Sequence, residues 1–114
     1  MSENPSSAEW RASAPVFAAL GDGTRLELVA RLSLGQPLSI TRLASGARVT
    51  RQAITKHLHV LRQAGLVRGA RRGREQLWEL DLRQLQEARR CLEQIAHHWE
   101  TTLGRLKDFV EGEG

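Results

Sequence analysis

The sequence predicts one mainly α domain of about five helices and two strands, on three observations. Four stretches of helical apolar period each follow a Ser, Thr or Asp suited to capping and end at Gly or an Ala-Gly pair. Two short apolar runs flank a basic Gly turn, Arg71-Arg72-Gly73-Arg74, as the strands of a hairpin do. After them the helical period returns and holds over residues 82–110.

Residues 1–12 read as a disordered or partly ordered lead, in which Trp10 covers apolar surface. Ser13 as cap and Pro15 in the first turn start a short helix that ends at Leu20, before Gly21. Asp22 caps a second helix over 24–34, with Leu26, Val29, Ala30 and Leu32 as its buried side and Gly35 as its stop. Arg25 and Arg31 are left near the surface. Gln36-Pro37-Leu38 is a turn, and Ser39 caps a third helix over 40–45 that ends at Gly46. Thr50 caps the fourth, TRQAITKHLHVLRQ, whose apolar side is Ile54, Leu58 and Leu61 and whose stop is Ala64-Gly65. Two short helices joined by a Gly turn, the second amphipathic and basic, form a helix-turn-helix, and the hairpin that follows makes it winged. In that hairpin Leu66-Val67 pairs with QLWEL at 76–80, and Trp78 and Leu80 share a face.

The last helix spans about 43 Å at 1.5 Å per residue. Leu85, Leu92, Trp99 and Leu106 recur every seven residues, with Ala96, Leu103 and Val110 in an adjacent row. This stripe is wider and longer than so small a core can cover, so part of it is expected to face a second copy. Leu85, Leu92, Ala96, Trp99, Leu103 and Leu106 are the dimerisation candidates; the alternative is a helix that packs only on its own domain. Residues 111–114 read as a frayed tail.

The chain's 114 residues, 40% hydrophobic and 26% charged, suffice for one domain. No apolar run is long enough to span a membrane, and MSENPSSAEW lacks the basic start and apolar centre of a signal peptide, so the expected location is cytoplasmic. Cys91 is the single cysteine, which excludes an internal disulfide; it reads as a structural thiol. Neither a Gly-rich phosphate loop nor a Ser/His/Asp set is present, so no enzyme is expected and no cofactor is assigned.

The net charge is only +4, but it is unevenly placed: residues 28–74 hold ten Lys and Arg and no Asp or Glu. An acid-free block that coincides with a helix-turn-helix and its wing suits an acidic polymer, and a duplex is the expected partner. With Ile54, Leu58 and Leu61 buried, the fourth helix presents Arg51, Gln52, Thr55, Lys56 and His59 outward. Arg51 matches guanine N7 and O6, Gln52 matches adenine N6 and N7, and Thr55 or Lys56 suits base edges or phosphates. Arg48 and Thr50, at the helix entrance, suit the DNA backbone, and Arg71, Arg72 and Arg74 at the hairpin tip suit phosphates or the neighbouring minor groove. A winged-helix module that holds a protein is the competing reading.

The runs ALGDGTRLELVARL (19–32), VTRQAITKHLHVLRQAGLV (49–67) and RRGREQLWEL (71–80) resemble the ArsR-type winged-helix repressors of bacteria over about residues 14–110. The resemblance implies a homodimer that binds an operator as a symmetric pair and is released by an effector, here unknown. It places Thr50, Arg51, Gln52, Thr55, Lys56 and His57 on the family's reading helix. His57 borders the buried side, where a structural hydrogen bond and a phosphate contact stand equal. Many members of this family sense metals, but SITRLASG at 39–46 has no cysteine pair for thiophilic ions. A zinc-type site on the last helix has His97 and Glu100 for its second half and only Gln84 and Gln86 for its first, so no metal is expected and a metal- or thiol-responsive sensor is the minor alternative.

Overall fold

The computed structural model describes residues 5–112. Three of its helices begin where a short polar side chain satisfies a free backbone donor. Asp22 accepts from Arg25 N (3.0 Å) at the start of α2 (Gly23–Leu32), and Ser39 from Arg42 N (3.2 Å) at α3 (Ile40–Ala44). Thr50 accepts from Ala53 N (3.1 Å) at α4 (Arg51–Gln63). Two further helices, α1 (Pro5–Leu20) and α5 (Leu82–Gly112), pack on each other at the two ends of the chain. The sheet has three antiparallel strands in the order β1 (Leu38–Ser39), β3 (Glu75–Leu80), β2 (Val67–Arg72).

Four differences from the sequence reading stand out. The helix expected from Ser13 begins at Pro5 and carries Pro15 inside it, so the expected lead is helical over 5–12, while residues 1–4 lie outside the described residues. What holds this first stretch is α5: Trp10 donates from Nε1 to Gln94 Oε1 (3.2 Å) and sets its ring edge-on to His98. A third strand exists because Leu38 and Ser39, read as turn and cap, pair with Trp78 and Leu77. On α2 the buried side is Leu28, Val29 and Leu32, whereas Leu26 is 53% exposed and Ala30 is exposed too. The tail expected at 111–114 is helical as far as Gly112, and 113–114 lie outside the described residues.

The core gathers where α4 crosses the others. Leu43, Ile54, Leu58, Leu61 and Leu66 are at most 1% exposed. Each such side chain contributes about 1.5–3 kcal/mol by leaving water, so the set together far exceeds any one cap, worth about 0.5–2 kcal/mol. Three inward residues at i, i+4 and i+7 thus fix which side of α4 can face solvent. Asp81 starts α5, accepting from Arg83 N (3.1 Å) and from the Arg83 guanidinium. That side-chain hydrogen bond, first among the causes, holds the Asp81 carboxyl below its usual range.

The chain leaves α4 through Gly65, whose φ is +79°. Leu66 N donates to Leu61 O (2.9 Å) and Gly65 N to Arg62 O (3.0 Å), the paired bonds of a Schellman ending. A Cβ at Gly65 would stand 2.6 Å from Gln84 Cγ. Gln84 is exposed and can rotate away, so the backbone conformation carries most of the cost. Gly65→Ala is therefore expected to destabilise the fold by more than about 1 kcal/mol, lowering the thermal midpoint by several degrees, and Gln84→Ala added to it is expected to restore only a minor part. An unchanged midpoint would count against this account of the turn.

Candidate nucleic-acid interface

Positioning begins with α2. Arg31 reaches from it to donate to Leu43 O (2.8 Å) and Arg42 O (3.0 Å), two carbonyls of the last turn of α3. Gly46 then turns the chain at φ +77°, and Thr50 opens α4. Because the buried side of α4 is fixed, Arg51, Gln52, Lys56 and His59 are exposed, as are Arg48 and Thr50 at the entrance. Thr55 is half-buried and donates its hydroxyl to Arg51 O (2.9 Å), which leaves its oxygen as an acceptor and its methyl for apolar contact.

His57 is turned toward α2. Its Nδ1 lies 3.4 Å from Arg25 Nη1 and 3.9 Å from Asp22 Oδ2, and about a fifth of its side chain is exposed. The Asp22 carboxyl is held below its usual range, chiefly by the Arg25 N–H it accepts, with the Arg25 guanidinium adding to this. His59, two residues on and exposed, leans on the sheet with its ring centroid 6.3 Å from that of Trp78. The Arg62 guanidinium lies 5.9 Å from the same ring centroid, so the end of α4 is fastened to β3.

The wing turns at Gly73, φ +64°, which occupies the first central position of a two-residue loop as a II′ turn requires. Arg71, Arg72 and Arg74 are exposed around it. Among the described residues these three, like Arg51 and Lys56, enter no ion pair, whereas Arg68 is spent on Glu79 across the strands (2.9 Å). These cationic groups, with no ion-pair partner among the described residues, sit on the outer side of α4 and on the hairpin tip, an arrangement that fits phosphate and base edges.

A model described as a helix-turn-helix domain matches residues 20–70. The HTH-type transcriptional regulator Rv2034 of Mycobacterium tuberculosis is 33% identical over 105 residues, 92% of this chain and 94% of that protein. The ArsR-like transcriptional regulator from Rhodococcus sp. RHA1 is similar in structure, with TM-score 0.76 and 37% identity over 88% of this chain and 93% of that one. The chain belongs to the ArsR family of helix-turn-helix regulators. As a DNA-binding transcriptional regulator of the ArsR type, it has the winged architecture expected of it, with one strand more than its sequence suggests. The same fold is seen in the homodimeric winged helix-turn-helix DNA-binding domain Mb0332 from Mycobacterium bovis (TM-score 0.60, 20% identity, 96% of this chain and 92% of that one).

The residues expected at a dimer contact divide in this ArsR-family chain. Leu85 packs in part against its own core, while Leu92, Ala96, Trp99, Leu103 and Leu106 are exposed. Beside them an open apolar cleft of about 600 Å³ runs between α1 and α5, lined by Phe17, Leu20, Leu85 and Leu92 among others. His97 and His98 are exposed with ring centroids 6.4 Å apart, and Cys91 is buried. Among the described residues no three His, Cys, Asp or Glu side chains converge to hold a metal ion, and no helix is long and apolar enough to cross a membrane. Arg25 and Arg31, which the sequence places near the surface, tie α2 by hydrogen bonds to α1, α3 and α4. Their partners lie 6 to 32 positions away, and nothing in the local pattern signals them.

Proposed function

We propose that this regulator is a cytoplasmic homodimeric repressor that reads a two-fold operator with a pair of α4 helices and clasps the flanking backbone with its wings. The observation that carries the reading is the shared exposure of Arg51, Gln52, Lys56 and the three wing arginines within a block free of carboxylates. In this reading Arg51 and Gln52 address bases. Thr55 and Lys56 address bases or phosphates, His59 contacts DNA at the sheet side of α4, and Arg48, Thr50, Arg71, Arg72 and Arg74 hold the backbone. The second copy is supported by the exposed apolar row of α5, and the two α4 helices would then be set about 34–36 Å apart, one turn of duplex.

The test is binding to the duplex upstream of the chain's own gene at several salt concentrations. A slope of about −0.9 in log K against log salt is expected for each phosphate neutralised. Replacing Arg71, Arg72 and Arg74 by Gln is expected to shallow that slope by about 0.9 for each arginine that meets a phosphate. Absence of binding to every duplex tried would overturn the proposal in favour of a protein-interaction module.

A further inference from the structure

Apolar packing decides which side of α4 faces out, and Arg62 on Trp78 fastens its last turn to β3. Nearer the middle of α4 one polar contact ties it to two other helices. Arg25 on α2 donates from Nε to Ala19 O (2.7 Å), in the last turn of α1, and its Nη1 meets His57 Nδ1 on α4 at 3.4 Å. Asp22, which caps α2 by accepting Arg25 N at 3.0 Å, flanks the same ring nitrogen at 3.9 Å. A single side chain therefore touches both α1, the helix packed on α5, and the helix that faces the DNA. A guanidinium only donates, so Nδ1 is the acceptor and the neutral ring keeps its hydrogen on Nε2.

We propose that Arg25 is a positioning residue that holds α4 at a set angle to the α1–α5 layer through His57 Nδ1, and that His57 serves as its acceptor and not as a phosphate ligand. The inference rests on α4 being the DNA reader. In a symmetric pair an angular error enters at both half-sites, so a contact that touches no base still governs affinity.

Three features separate this role from a purely structural one: affinity, salt slope, and which atom of residue 57 is needed. The full-length chain is titrated with the duplex upstream of its own gene at several KCl concentrations, and thermal midpoints are measured beside it. Arg25→Gln and His57→Gln are each expected to weaken binding about tenfold at every salt concentration, the scale of one lost hydrogen bond to a charged group, with the slope unchanged. His57→Asn, whose amide oxygen stands close to the place of Nδ1, is expected to stay within about threefold of wild type. The double variant Arg25→Gln, His57→Gln is expected to bind no more weakly than either single one. A slope shallower by about 0.9 in either single variant would identify a direct phosphate contact and overturn the proposal. So would retention of affinity by His57→Gln with loss in His57→Asn, or a lowered midpoint with affinity unchanged. Failure of the wild type to bind any duplex overturns the reader itself, whereas wild-type binding with indifferent variants overturns the positioning role alone.

Discussion

Alanine at both Arg51 and Lys56 is expected to abolish operator recognition while the thermal midpoint stays within a degree or two of wild type. The two side chains are exposed, have no ion-pair partner among the described residues, and lie on a helix whose stability comes from Ile54, Leu58 and Leu61 on the opposite side. Alanine has the highest helix propensity, so truncation there does not weaken α4. The loss at the DNA is of another size. A bidentate arginine–guanine contact is worth about 1–3 kcal/mol, and a lysine on a base edge or phosphate is of similar order. Together they amount to about 2–6 kcal/mol, or about thirtyfold to twenty-thousandfold in affinity. Fluorescence anisotropy on the promoter duplex, with circular dichroism as the control for folding, reads both quantities. Undiminished binding by the folded double variant would remove α4 from the interface.

Glutamate at Trp99 or Leu103 is expected to give monomers on a sizing column and to weaken operator binding by a hundredfold or more. In the single chain these side chains are 59% and 46% exposed, so a charge at either position costs the isolated domain little. Against a second copy the same charge is desolvated in apolar surroundings at a cost of several kcal/mol, and symmetry imposes it twice. Leu85 is the poorer place for the experiment, because it packs on the domain's own core and its loss would confound unfolding with dissociation. A variant that remains dimeric would move the contact elsewhere, with the α1–α5 cleft as the next surface to alter.

The parts of this fold legible in the sequence are those set by chemistry within a few residues. Asp22, Ser39 and Thr50 each cap a helix through a backbone donor three positions on, and a capping side chain announces itself without knowledge of the rest. The same locality marks the Schellman glycine and the Gly73 turn. What escaped reading is set by distant partners. β1 is two residues long and exists only because Trp78 and Leu77 stand opposite it. The true start of α1 was masked by Pro15, which suits a first turn but is tolerated inside a helix held against α5. On α2, Leu26 and Leu28 are equally apolar, and only the angle at which α2 meets the core buries one and exposes the other. The candidate interface was legible as a set of residue types on one side of a helix, since the inward side fixes the outward one. The orientation of His57 was not, because Arg25 lies 32 positions before it.

The outer end of α5 bears on how this regulator is switched on at all. From Ile95 to the end of the described helix every residue is exposed, and a pairing of two chains through this stretch would bury its apolar side chains. On the homodimer reading, stability and operator occupancy share one variable, the number of chains in the cell. Well below the dissociation constant the population of pairs rises as the square of that number, so a modest change in synthesis becomes a larger change in occupancy. Cell division or slowed translation, by thinning the chains, would then open the promoter with no small molecule involved.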